Sequence, residues 1–255
     1  MAKLKDIVKF LDKYLKNKEI KDTSRNGLQI KGKSEVSKIA FTENASLDTF
    51  KMALKEKADL IVVHHGILWK TRYKKYPVFE RITKERMKFL TKNDISLYAS
   101  HLPLDRHKTI GNNSQLLKLL GAKIRAKFAM SGKKSIGWIG EFKSPVSVTK
   151  IIKTLNKNLK TRCKTLLFGP RKIKTLAVCS GGGGSSVFYE ALGKKVDLYL
   201  TGEISEVYTS AKDAKFNVIF AGHYATETVG VKALMKVVKK KFKVGTTFID
   251  DPTGL

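Results

Sequence analysis

Uninterrupted apolar runs that stop at turn residues constrain this chain more than any other feature. They are KIAFT (38–42), DLIVV (59–63), ISLYAS (95–100), TLAVCS (175–180), DLYLTG (197–202) and NVIFAG (217–222). A strand with one wet face alternates apolar and polar residues, whereas a run such as DLIVV reads as a strand buried on both faces. SIGWIGEF (135–142), CKTLLFG (163–169) and TTFID (246–250) complete the expected strands. Between them lie segments of helical period near 4–16, 46–57, 78–92, 112–121, 147–158, 185–193, 204–214 and 227–241. Asn113 or Ser114 would cap one of these helices, and Ser147 another. The alternation predicts an α/β fold with substantially parallel or mixed sheets.

With 255 residues and 42% apolar content, the chain can bury a sizeable core as one large domain or two modest ones. The stretch 122–170 carries a strand, a helix and a strand with no histidine and almost no acid. This suggests a second, strongly basic α/β subdomain at 122–194, with 1–121 plus 195–255 forming the other. No run reaches the ~18 to 20 apolar residues of a membrane span, and the charged start MAKLKDIVKFLDKYLKNKE lacks a signal-peptide apolar block, so no membrane partner and a cytoplasmic location are expected. Cys163 and Cys179 have neither metal-ligand spacing nor a secretory context and read as reduced thiols.

The charge is unusual: 51 Lys+Arg against 22 Asp+Glu, a formal +29. Between Asp105 and Glu190 the only acid is Glu141, against 18 basic residues, and VKALMKVVKKKFK (231–243) adds six lysines. Such imbalance attracts polyanions, whether or not a specific partner exists. No helix-turn-helix, RRM or zinc-finger pattern is present, so any nucleic-acid contact would run through phosphates.

Four of the five histidines follow strands: His64 and His65 after DLIVV, His101 after ISLYAS, and His223 after NVIFA. The carboxyl ends of strands are where open α/β folds build their sites, so these segments could converge. HLPLD pairs His101 with Asp105, and GHYATE pairs His223 with Glu227 at i, i+4, one helical face if a helix starts near Tyr224. Imidazole and carboxylate together suit zinc, iron, manganese, cobalt or nickel. Adjacent His64 and His65 on an extended backbone should point to opposite sides, one toward each of two ions. His107, among cations in DRHKT, reads as exposed surface. CSGGGGSS (179–186) would place Gly181, Gly182, Gly183 and Gly184 either in an anion-binding nest at a helix start or in a tight strand-to-helix turn. In TGEISE, Glu203 and Glu206 read best as helix-start carboxylates.

Taken together, HHG (64–66), HLPLD…GNN (101–113), SGGGGS (180–185), TGE (201–203) and GHYATETVG (222–230) resemble the Nif-three-like dinuclear metal-centre family, whose members are often labelled GTP cyclohydrolase type 2 homologues. NGLQI (26–30) matches the family's N-terminal pattern, and the resemblance runs from about residue 20 to the C-terminus. It implies two intertwined α/β subdomains related by a pseudo-dyad, in three layers, with a two-metal site in the cleft between them and a homohexameric assembly. The implied ligands of two divalent ions are His64, His65, Asp105, His223 and Glu227, with His101 a further ligand or a residue beside the metals. Many relatives carry a paired histidine after TGE, where this chain has Glu206 and Val207. The expected function is dinuclear metal binding with non-specific binding of single- and double-stranded DNA through the basic surface. The alternative is a two-metal hydrolase, cyclohydrolase or phosphoesterase in type, acting on a nucleotide or phosphorylated small molecule, with Gly181–Gly184 holding phosphate.

Overall fold

The computed structural model describes residues 1–70 and 76–254. The chain begins with β1 (Ala2–Lys3), α1 (Leu4–Leu15), β2 (Gly27–Ile30), β3 (Glu35–Val36), β4 (Lys38–Asn44) and α2 (Leu47–Lys55). It continues through β5 (Leu60–His65), α3 (Pro77–Lys92), β6 (Ser96–Ala99), α4 (Leu102–Asp105) and α5 (Asn112–Leu120). Next come β7 (Lys123–Ser131), β8 (Lys134–Ser147), α6 (Val148–Leu159), β9 (Lys164–Leu167), β10 (Lys172–Cys179) and α7 (Gly184–Gly193). It closes with β11 (Leu198–Thr201), α8 (Tyr208–Asp213), β12 (Asn217–Phe220), α9 (His223–Phe242) and β13 (Gly245–Phe248). No helix among the described residues is long and apolar enough to cross a membrane.

Two compact units result, one of Met1–Leu104 with Val231–Asp251 and the other of Asp105–Gly230 with the residues from Pro252. In the first, a five-stranded sheet has the order β13-β4-β5-β6-β2, parallel throughout except for antiparallel β2 at one edge. Leu60, Ile61, Val62 and Val63 are at most 1% exposed, each stabilising the unit by about 1.5–3 kcal/mol. Ile61 and Val63 pack with Phe50 of α2 and Leu90 of α3 around a core that includes Leu97 and Ile249. Ser46 caps α2 in a reciprocal box with Thr49.

In the second unit a six-stranded sheet has the order β7-β8-β10-β11-β12-β9, with β10, β11 and β12 parallel at its centre and antiparallel strands on both flanks. Its two faces bury separate clusters, one around Trp138, Leu155 and Leu176, the other around Phe128, Phe188 and Tyr199. This division differs from the one expected at 122–194: residues 105–121 and 195–230 belong with the basic segment. The reason is non-local, since β11 and β12 pair beside β10, and Leu116 and Leu117 of α5 bury against the same sheet. Ser147 caps α6 by accepting from the Lys150 amide, as expected. The helix expected to open at Asn113 or Ser114 instead starts at Asn112, after Gly111, because both asparagine side chains are engaged elsewhere.

Candidate metal centre

In the first unit, three neighbouring parallel strands end at one edge of the sheet. β4 delivers Glu43 and Asn44, β5 delivers His64 and His65, and the chain leaving β6 delivers Ser100 and His101. The His64 ring is fully buried, and its Nδ1 donates to the Ser100 carbonyl at 3.0 Å. A carbonyl oxygen only accepts, so Nδ1 carries the proton and Nε2 is the basic nitrogen. His65 Nδ1 donates to Glu43 Oε1 at 2.8 Å and to Asn44 Oδ1 at 3.0 Å, and His101 Nδ1 to Asp22 Oδ1 at 3.0 Å. All three imidazoles are thereby set in the same tautomer.

The ring centroids lie 4.7 Å apart for His64 and His65, 5.1 Å for His64 and His101, and 5.4 Å for His65 and His101. One nitrogen of each lies within 4.8 Å of the others. Three imidazoles, each held from behind by a carbonyl or carboxylate, form a donor set that fits a divalent transition ion. The expectation that His64 and His65 diverge is therefore corrected. Strand alternation governs where Cβ points, but hydrogen bonds to Ser100, Glu43 and Asn44 decide where the rings come to rest.

Two carboxylates behind this cluster were not foreseen. Asp22, 5% exposed, accepts from His101 Nδ1, Asn26 Nδ2 and the backbone amides of Ser24 and Leu102. Burial works to raise its carboxyl, but hydrogen bonds and charge from His101, with help from Asn26 and Ser24, outweigh it and bring the pKa to about 2. Glu43, in β4, is buried behind His65. Their histidine partners, His101 for Asp22 and His65 for Glu43, lie far away in sequence, so no local spacing marked them. NGLQI now has a structural role: Asn26 Oδ1 accepts from the His101 amide, and Gln29 Oε1 accepts from the amides of Ile67 and Leu68. The glycine of HHG follows from this, because a Cβ on Gly66 would lie 2.5 Å from the Gln29 amide.

A buried relay leads away from His64. Ser100 Oγ donates to Asn17 Oδ1 (3.1 Å), Asn17 Nδ2 donates to the Tyr98 hydroxyl oxygen (2.6 Å), and Tyr98 donates to Asp12 Oδ1 (2.8 Å). Burial, reinforced by the Asp12 charge, pushes the Tyr98 hydroxyl well above its usual range, so it remains a donor. Trp69 stands edge-on to His101 with centroids 5.3 Å apart, its indole N–H bonded to the Gly66 carbonyl.

In the second unit the chain leaving three parallel strands again supplies the chemistry, with Ser180 and Gly181 after β10, Glu203 after β11 and His223 after β12. Asp105, 4% exposed, accepts at Oδ1 from Asn112 Nδ2 (2.8 Å) and Ser180 Oγ (3.1 Å). Asn112 Oδ1 accepts from the Gly230 amide and Asn113 Oδ1 from the Ser180 amide, which ties the GNN motif to the glycine loop and to α9. The helix opens at His223, so the i, i+4 expectation holds: His223 Nε2 lies 2.9 Å from Glu227 Oε2. On its other side His223 Nδ1 donates to Glu203 Oε1 at 2.7 Å. Burial opposes the imidazolium, but hydrogen bonds and charge from Glu227 and Glu203 outweigh it and raise the pKa to about 9.

Glu203 is therefore no helix-start carboxylate. α8 begins only at Tyr208, and Glu203 holds His223, while Glu206 is exposed. Gly181 has φ +62°, and a Cβ there would collide with the Glu227 carboxylate and lie 3.1 Å from His223 Nε2. At Gly182 a Cβ would lie 2.7 Å from Glu203 Oε2. Gly181 and Gly182 thus give two carboxylates close access to backbone, while Gly183 and Gly184 lead into α7. His107 is half-buried rather than exposed; its Nδ1 accepts from the Ile110 amide across a turn. Cys163 and Cys179 are free thiols.

The profile described as Duf34/NIF3 (NGG1p interacting factor 3) matches residues 2–253. Over 252 residues the chain is 47% identical to a Pyrococcus horikoshii protein named GTP cyclohydrolase 1 type 2 homolog, with 98% of each chain covered. Among solved structures it is similar to protein ybgI, titled as of unknown function, at TM-score 0.90 and 33% identity, with both chains fully covered. TTHA1606 from Thermus thermophilus gives a TM-score of 0.86 at 32% identity, again over the whole of both chains.

Proposed function

The chain belongs to the Duf34/NIF3 family, and from that membership and the two donor sets we propose that His64, His65, Asp105, His223 and Glu227 hold two divalent metal ions for hydrolysis of a nucleotide or another phosphorylated small molecule. The observation that carries this is the common tautomer of the histidine cluster, each Nδ1 committed to an acceptor behind it. Such ions would supply Lewis acidity and lower the pKa of water toward neutrality. His101 serves as an added ligand or steadies the others. Asp22, Glu43 and Glu203 hold imidazoles in place, and Asp105 and Glu227 offset the charge of the ions. Gly183, Gly184 and nearby lysines are the candidates for holding phosphate, and the name of the Pyrococcus relative makes GTP the first nucleotide to try.

Elemental analysis of protein grown with zinc, iron, manganese, cobalt or nickel tests the reading. Two equivalents per chain are expected from one of them, falling to one or fewer in Glu227→Ala together with loss of turnover. Less than one equivalent in the wild type with every metal, or full turnover in a metal-free variant, would overturn it. The family resemblance also implies a homohexamer, which light scattering would check.

A second reading is favoured by one helix. α6 buries Val148, Ile151 and Leu155 and exposes Lys150, Lys153 and Lys157 along the opposite face. A lysine row of this kind supports sequence-indifferent binding of single- or double-stranded DNA. Anisotropy titrations should show affinity at ~50 mM salt that falls steeply by ~200 mM. No binding at the lower salt would remove this reading.

A further inference from the structure

A groove of about 1090 Å³ lies in the first unit, and none of the histidines lines it. α1 forms one wall, and Leu28, Lys31, Ser34 and Glu35 contribute to the other. Lys5, Lys9 and Lys13, at i, i+4 and i+8, run along α1 at intervals of about 6 Å. Four further lysines line the groove, so lysine makes up half of its 14 lining residues, against 51 Lys+Arg in the 255 of the chain. Lys5, Lys9 and Lys13 are exposed and make no ion pair among the described residues, whereas Lys16 is joined to Glu19 at 3.2 Å. Of the other carboxylates, Asp12 is committed to Asn17 and Tyr98. The cationic row is thus far from neutralised within the unit.

The apolar part of the lining is aliphatic. Leu4 and Val8 of α1 contribute, as does Leu28, which is 37% exposed on the edge strand β2. Among the described residues no aromatic side chain lines the groove. Single-stranded nucleic acid is held by lysines that track its backbone together with aromatic platforms for its bases, and an aliphatic floor supplies only the first. A short acidic segment bearing aliphatic side chains uses both features, its carboxylates meeting the lysine row and its leucines or isoleucines the floor. From Lys5 to Lys16 the groove runs about 16 Å, the length of about five extended residues.

We propose that the groove between α1 and the β2–β3 segment docks an acidic, aliphatic-containing peptide segment of a partner protein. The test uses the full chain with three fluorescein-labelled probes: a ten-residue peptide alternating Glu and Leu, a peptide of the same charge with Ser replacing Leu, and oligothymidylate of matching charge. Anisotropy titrations are run on the wild type, on Lys5→Gln/Lys9→Gln/Lys13→Gln, and on Lys150→Gln/Lys153→Gln/Lys157→Gln, which removes equal charge from α6. The Glu–Leu peptide should bind about tenfold more tightly than its Ser counterpart, and the α1 variant should lose about tenfold in affinity while the α6 variant stays within about twofold. Equal losses in the two variants, or a tighter grip on oligothymidylate that also depends on the α1 lysines, would overturn the proposal. Hydrogen exchange on the unmodified protein guards against a misfolded variant. Added Glu–Leu peptide should slow exchange in residues 3–16 and 28–35, and unchanged exchange there at saturating peptide would equally overturn it.

Discussion

The two units build their clusters at equivalent places and in opposite ways. In both, the chain leaving three adjacent parallel strands carries the functional side chains. In the first unit imidazoles stand in front, with Asp22, Glu43 and a carbonyl behind them. In the second, Asp105 and Glu227 stand in front, with amide, hydroxyl and glycine backbone behind them, and only His223 keeps a carboxylate at its back. A neutral imidazole needs an acceptor to fix its tautomer, whereas a buried carboxylate needs donors or open backbone around its oxygens. The same strand-end platform therefore calls for acids behind one cluster and asparagine, serine and glycine behind the other.

The change expected to disturb the second cluster most is Gly181→Ala. Its Cβ would collide with the Glu227 carboxylate at a backbone conformation that disfavours Ala, so a loss of about 3 kcal/mol or more in urea unfolding is expected. A loss below about 1 kcal/mol would mean that this carboxylate is not held against backbone.

The contrast should also appear as two stability limbs of opposite sign in the metal-free protein. His223, raised to about 9, contributes stability that is complete below about pH 6.5 and lost as pH rises through 9, on the order of 3 kcal/mol. Asp22, lowered to about 2, contributes about 2 kcal/mol that is present above about pH 4 and lost as pH falls through 2. Unfolding measured across pH should lose its alkaline limb in His223→Gln and its acid limb in Asp22→Asn. If one substitution altered both limbs, the clusters would not be separable. At neutral pH Asp22→Asn should itself cost about 2 kcal/mol, because the half-buried His101 N–H loses a charged acceptor.

Tyr98→Phe gives the smallest expected effect, about 1 kcal/mol, since it removes one hydroxyl from the relay between Asp12 and Asn17 while leaving the His64–Ser100 bond intact. The same substitution should leave the second unit's alkaline limb unchanged.

Much of this was legible in the sequence. Each apolar run lies in or overlaps an observed strand, because a stretch such as Leu60–Val63 has few ways to bury four side chains. The i, i+4 pair of His223 and Glu227 was legible because helical geometry is local. β7 was not, since Lys123–Ser131 is largely exposed at a sheet edge and its charges obscure any alternation. Nor were β2 and α4, each of only four residues and too short for a period to show.

The sequence by itself determined the α/β class, the strand exits that bear histidine, and the carboxylates spaced for a helix turn, because these depend on periodicity within a few residues. Tertiary structure decided the rest. It moved 105–121 and 195–230 into the second unit through strand pairing, turned His64 and His65 toward each other, and brought Asp22 to His101 across 79 positions and Glu203 to His223 across 20. Hydrogen-bond partners that far apart are chosen by how sheets stack their ends, and no local spacing encodes that choice.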